Sequence, residues 1–430
     1  MVGVTWKLAA RNLLRNRRRN LIAMTAVVLG FLGISLFVDY VLWAETYMTT
    51  NSVYLNHNGH VLIVKPGALE DFGANPKRFL ITKAEQDAVT AILTGDRRVE
   101  FVGQSLKGMG LLDADGHSVP FVAQGVDITL EKALRTHPQV MRWNAELVAG
   151  DRDGAIWQYD GSVFPVALTK KLARLVGLGA KLDRRAVQLI GATFDGKLSV
   201  VDGDLTNHFS TGLALNDDTA LMTSLNALQR LYDTDGVTAI AVYLKDRSAL
   251  FGFRRDLERT LHDQGLRMEA LSYRDERVSP FYVGVVSFIG AAAIFFLITI
   301  SVVVVIALGS TMSMAVVERS REVGMLRAMG FRDATVRGLF LKEAALMVLC
   351  GTAVGFALNH IVAVIVNDFS NLRFAPPGIA GSTKFLVVPN GNVSAVLAIV
   401  FVTVGAYAVG QVVRRQTKAT VATLLSSSGR

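Results

Sequence analysis

The sequence predicts an α-helical membrane protein with four transmembrane helices and a two-lobed α+β extracytoplasmic domain between the first two. Three observations carry this. Hydrophobic residues make up 51% of the 430 and charged residues 19%, a composition uncommon among soluble domains. The apolar residues gather into four runs, 21–43, 281–310, 339–366 and 393–413, each near or above the ~20 residues that a spanning helix needs. Lys and Arg, finally, alternate in abundance from one flank to the next.

That alternation sets the orientation. Residues 1–20 hold six basic side chains (Lys7, Arg11, Arg15, Arg17, Arg18, Arg19) and the 311–338 loop five (Arg319, Arg321, Arg327, Arg332, Arg337). The 414–430 tail holds four, whereas 367–392 holds only Arg373 and Lys384. Both ends and the 311–338 loop therefore read as cytoplasmic, and 44–280 and 367–392 as outward. The 44–280 segment carries 27 basic and 30 acidic residues, net −3, so with +9 for the whole chain the remaining +12 sits beside the membrane. That is the placement of an anchor, and it argues against nucleic acid as a partner.

Trp6, Ala9, Ala10, Leu13 and Leu14 recur at helical spacing opposite Lys7, Arg11 and Arg15, which suits an amphipathic helix on the inner membrane surface over 1–20. The first span reads as a retained anchor, because "VLWAE" offers no small-x-small cleavage site. Asp39, in its last turn, is expected to reach headgroup water. In the outward domain, 60–66 reads as a strand, and Thr82 with Glu85 forms a capping box for a helix. Residues 99–125 read as β-structure turning at Asp115-Gly116, and 186–201 as strands joined through Asp195-Gly196. Thr169 and Ser224 are placed to cap helices that follow strands. Residues 237–244 and 267–273 read as strands, with Leu250, Phe253, Leu257 and Leu261 striping a helix between them. Cys350, the one cysteine, falls in the third span, so no disulfide supports the domain.

Catalytic signatures are missing. The chain has no G-x-x-x-x-G-K-[ST], no HExxH and no GxSxG, and reads as a non-catalytic subunit. His57 and His60 in "HNGH" have metal-like spacing but no further ligands, so no metal site is expected and the stretch reads as a surface loop. His360, beside Asn359 in the third span, reads as a helix-packing hydrogen bonder. Gly351-x-x-x-Gly355 in the third span and Ala406-x-x-x-Gly410 in the fourth are small-residue pairs that let helices approach closely.

The 311–338 loop holds the most informative stretch, "VVERSREVGMLRAMGFRDATVRG" from 316. On a helical wheel Val316, Val323 and Leu326 share one face, while Glu318, Glu322, Met325 and Met329 form an acidic and methionine stripe on another. Gly330 can stop this helix and Asp333 can start the next. A face that is only solvated needs no methionines, and adaptable methionine is common on binding surfaces, so the stripe reads as a docking face for a protein.

The run "ERSREVGMLRAMG" resembles the E-R-x-R-E-[IV]-G-x-L-R-A-x-G signature of MacB/LolC/FtsX-type ABC transporter permeases. The four-span plan, the segment "ALTKKLARLVGLGAKL" and "APPG" at 375–378 are also similar to that family. Two features depart from it: Lys181-Leu182-Asp183 stands where members often have Gly-Asp, and the tail after 413 has no proline. The resemblance implies a bacterial inner-membrane permease with 44–280 as a MacB-like periplasmic domain. It implies that Glu318, Arg319, Arg321, Glu322, Gly324, Met325, Leu326, Met329 and Gly330 form a coupling helix for a separate cytoplasmic ABC ATPase. Two ATPase copies, carrying the ATP and Mg that this chain does not bind, would serve two permeases, this chain with a second copy or a paralogue. Motion would pass to the periplasmic domain and a periplasmic cargo or relay protein, alongside membrane lipid. The size of 44–280 is closest to lipoprotein-releasing members; the alternative is an FtsX-like signalling subunit that activates a cell-wall hydrolase.

Overall fold

The structure is a computed structural model and describes residues 11, 17–148, 163–178, 185–331, 333–370, 372–374 and 378–416. Most of the 1–20 helix expected from the sequence, the Lys181–Asp183 and "APPG" positions up to Pro377, and the tail from 417 lie outside the described residues.

The described chain opens with α1 (Arg17–Thr50) and a π-helical turn (Asn51–Leu55). It continues through β1 (Val61–Val64), α2 (Lys83–Thr94), β2 (Val99–Ala114), β3 (His117–Val126) and α3 (Ile128–Arg135). Next come β4 (Phe164–Thr169), α4 (Lys170–Leu175), β5 (Ala186–Ala192), β6 (Leu198–Phe209), β7 (Ala220–Ser224) and α5 (Leu225–Tyr232). Then come β8 (Ala239–Leu244), α6 (Leu250–Asp263), β9 (Glu269–Ser272), α7 (Pro280–Glu318), α8 (Ser320–Ala328), α9 (Asp333–Val364) and α10 (Gly391–Gln416). Two compact units result: Met1–Trp43 with Ser287–Leu372 and Phe385–Arg430, and Ala44–Val286 with Arg373–Lys384.

The second unit is α+β. Its local signals act where the sequence puts them. Thr82 and Glu85 exchange both capping-box bonds, and Thr169 and Ser224 accept from the backbone N–H of Leu172 and Ala227. The β2–β3 hairpin turns at Asp115 and Gly116, both at positive φ, as a two-residue hairpin turn demands. Nine strands pair in the order β3-β7-β4-β6-β5-β2-β8-β1-β9, and β3 also pairs with β2. Hydrogen bonds therefore close a ring through β2, β3, β7, β4, β6 and β5. The start of β2 pairs separately with β8 (Phe101 opposite Tyr243) and so joins β8, β1 and β9. The two lobes expected from the sequence are thus parts of one continuous sheet, and β2 belongs to both. Alternation along the ring strands buries Leu106, Leu112, Phe121, Val166, Leu189 and Leu205 in a core with Leu228 and Leu231 of α5. Leu250, Phe253, Leu257 and Leu261 form the buried face of α6.

The "HNGH" stretch is not a surface loop. His57 and His60 are both buried. His57 Nε2 bonds Glu131, which also pairs with Arg135, so two side chains clamp one buried carboxylate. Burial alone would raise the Glu131 carboxyl; Arg135 and His57 outweigh it and hold it down at about 2. His60 Nδ1 accepts from the Leu244 N–H at 3.0 Å and its ring packs edge-on to Tyr273. A sequence window cannot register these partners, which lie 74 and 184 residues away. Among the described residues no group of three metal-ligating side chains forms.

In the first unit, α1, α7, α9 and α10 are long and apolar enough to cross a membrane. α1 and α7 outrun their apolar runs, reaching Thr50 and Glu318. Residues 44–50 and 311–318 contain no Gly or Pro to end a helix. The helices meet closely at glycines. A Cβ on Gly351 would lie 2.7 Å from Val27 of α1, and one on Gly355 3.0 Å from Phe31. The fourth helix approaches at Gly405, where a Cβ would lie 2.9 Å from Val348; Gly410 makes only ordinary contact, and Ala406 is half-buried. Gly30 of α1 is also tight, 2.8 Å from Val304 of α7. Asp39 does not reach headgroup water: it is buried, and Asn359 Nδ2 donates to its carboxylate at 2.8 Å. His360 is exposed and turns back to the carbonyl of Phe356. Asn359 therefore makes the interhelical bond assigned to His360 from sequence.

Burial, with Arg247 and His137 nearby, pushes the His60 pKa down from 6.5 to about 4. The folded state thus favours neutral His60, and the unfolded state binds the extra proton between these values. The stabilisation is complete above pH 6.5 and is lost as the pH falls towards 4, at about 1.4 kcal/mol per unit. Thermal melting of the chain across pH 4–7.5 should show this acid-side slope, and His60→Gln should lower the melting temperature at pH 7.5 while flattening the slope.

Candidate functional site

The candidate site is the junction of α7 and α8. The two helices are separated only at Arg319, and helical hydrogen bonds still run through it: Arg319 N–H to the Ala315 carbonyl at 3.2 Å, and Val323 N–H to that of Arg319 at 2.9 Å. Val316 and Val323 are buried in a cluster with Val336 and Phe340 of α9 and Val409 and Val413 of α10. Val316 is where the wheel puts it, and Val323 anchors α8.

The opposite side is open. Glu318 and Glu322 are exposed. Met325 and Met329, at 55% and 60% exposure, are more open than most methionines of a folded chain. The acidic and methionine stripe is therefore a real surface. α8 ends at Ala328, and Gly330 follows at φ +87°, a left-handed stop that a side chain would strain.

Two residues of the expected coupling helix lie off this open side. Gly324 is buried. Arg319 is buried as well, and its Nη1 meets Glu343 Oε2 of α9 at 3.1 Å. One residue on from Glu318, a side chain turns about 100° around a helix, which carries Arg319 off the exposed stripe and onto α9. The side chains of Arg321 and Leu326 lie outside the described residues. Sequence reasoning missed Glu343 because a carboxylate at the start of an apolar run reads as an interfacial charge. The available signal was its partner, an arginine among valines.

Both partners of this ion pair are buried. Two ions taken out of water are costly unless each satisfies the other. Glu343→Leu alone should therefore destabilise the chain by about 3–5 kcal/mol, by leaving Arg319 buried without its counter-ion. The double variant Arg319→Met with Glu343→Leu should recover most of that loss. Thermal unfolding in lipid nanodiscs measures the cycle; a double variant as unstable as the sum of the singles would exclude coupling.

Residues 294–417 match the family model described as FtsX-like permease C-terminal. The chain is 28% identical over 115 residues to the ABC transporter permease YtrF of Bacillus subtilis, covering 26% of this chain and 24% of that one. It is 38% identical over 91 residues to the macrolide export ATP-binding/permease protein MacB 1 of Yersinia pestis, covering 21% and 13%. It thus spans a quarter or less of the length of these curated relatives. Among solved structures, it matches the extracellular domain of the ABC-type transporter YknZ from Gram-positive bacteria at TM-score 0.30 and 13% identity, over 49% of this chain and 98% of that one. The periplasmic region of MacB from Actinobacillus actinomycetemcomitans matches at TM-score 0.32 and 12% identity, over 50% and 90%. The matched stretch, from most of α7 through α10, is thus similar to the C-terminal region of FtsX-like permeases.

Proposed function

We propose that the chain is the permease subunit of an ATP-driven ABC transporter of the bacterial inner membrane. The observation that carries this reading is the exposed stripe of α8, held outward by a buried opposite face. A cytoplasmic ABC ATPase, bringing ATP and Mg, docks there through Glu318, Glu322, Met325 and Met329. The membrane unit presents two ATPases with two permeases, this chain and a second copy or a paralogue. Phe288, Ile294, Phe295, Ile298, Val302 and Ile306 leave α7 a long exposed apolar face, which supports contact with lipid or that second permease. α1 has 34 residues and α7 39, well beyond the ~20 of a bilayer crossing, which supports relay of ATPase motion towards a periplasmic domain. The cargo in this reading is a released lipoprotein or another lipidic molecule.

Reversing Glu318 and Glu322 to Lys should abolish ATPase docking while leaving the permease folded, since both side chains are exposed. Two reversals against a basic partner surface cost several kcal/mol. Met325→Ala should weaken docking by about 1–3 kcal/mol if it is buried on docking. Co-purification of the ATPase and its stimulated hydrolysis in lipid measure both. Normal co-purification of the double reversal would show a merely solvated face.

A further inference from the structure

The outer surface of the strand ring carries a second site. Alternation along β2 turns Lys107, Met109 and Leu111 away from the buried core, and Gln124 and Val122 of β3 stand directly opposite Lys107 and Met109. Lys107 and Gln124 line a cavity of about 440 Å³, within the range of small-molecule sites. One of its walls is apolar, with Leu55, Phe209, Met222 and Phe281. Another is polar but already satisfied. Ser52 and Ser279 share a hydrogen bond of 2.7 Å, Asn58 donates to both, and Asn56 donates to Asn51.

One buried donor beside these walls is not satisfied. Gln124 Nε2 is buried and has no hydrogen-bond partner among the described residues. Among the described residues, Lys107 is the only charged side chain lining the cavity, and none of the described lining residues is a carboxylate. Lys107 and the Gln124 amide thus line the same space from directly opposed strand positions. A buried donor left unmade is costly, so Gln124 Nε2 calls for an acceptor from outside, and Lys107, exposed to the cavity, adds a basic group beside it. The neighbouring sheet surface continues the apolar wall: Met109, Leu111 and Val122 are all exposed.

We infer that this cavity binds a single-chain amphiphile with an anionic head, a fatty carboxylate or a lipid phosphate. Its head is held by Lys107 and Gln124, and its chain lies against Phe209, Met222 and Phe281. This deepens the permease reading by naming a substrate class and rests on that reading only for the steps after binding.

The test uses the full chain in nanodiscs of neutral phosphatidylcholine, titrated with a fluorescent C16 fatty carboxylate, with empty nanodiscs as background. Saturable binding above that background is expected, competed by palmitate or by lysophosphatidic acid; whichever competes better identifies the head. Lys107→Gln should weaken carboxylate binding about ten-fold or more, the ratio carried by a lost charge-assisted hydrogen bond. It should leave binding of the matching fatty alcohol unchanged, which also reports an intact fold. Ala220→Trp, filling the cavity, should remove both. A wild-type signal equal to empty nanodiscs overturns the proposal. So does equal carboxylate binding by Lys107→Gln, or full displacement by inorganic phosphate, which would make this an anion site without a chain. Failure of the permease reading registers separately, in ATPase co-purification.

Discussion

The ion pair between Arg319 and Glu343 fixes what α8 can present. A guanidinium and a carboxylate buried among apolar side chains have few alternative arrangements, because either ion alone in that environment is strongly disfavoured. Once Arg319 is committed to α9, the rotation of α8 is set. Val323 turns inward and Glu322, Met325 and Met329 turn outward. The surface that reads as a docking face is thus a consequence of a contact on the other side of the same helix.

Behind that contact, the membrane unit is held by close approach and sparse hydrogen bonding. Apolar side chains gain little by leaving lipid for one another, so helix association depends on van der Waals fit. Gly30, Gly351, Gly355 and Gly405 provide it, each at a point where a Cβ would press on a neighbouring side chain. Asp39 and Asn359 add a directional bond between α1 and α9. Together these features specify which helices meet and in what register, which a purely greasy interface would leave loose.

Legibility in the sequence tracked the range of the interaction. Caps, hairpin turns and the α6 stripe depend on residues within a few positions, and Thr82 with Glu85, Asp115-Gly116 and Leu250 to Leu261 were all readable. The exposed stripe of α8 was readable for the same reason, since helical periodicity is local. Partners far along the chain were not. Asp39 finds Asn359 across 320 residues and His57 finds Glu131 across 74, so one was read as wet and the other as a surface residue. The inward turn of Arg319 to Glu343 was not readable either, because a motif records identity and not orientation. The small-residue pairs were half readable: Gly351 and Gly355 meet α1, but Ala406 and Gly410 miss the tight contact that Gly405 makes.

Strand β2 takes part in both the closed ring and the open sheet of β8, β1 and β9. No cut separates these parts without stranding backbone N–H and C=O groups along half of a 16-residue strand. Opening either part alone would expose β2, so amide protons on both sides of it exchange through a shared event. Shared pairing of this kind couples the opening of the two parts, as expected of one cooperative unit.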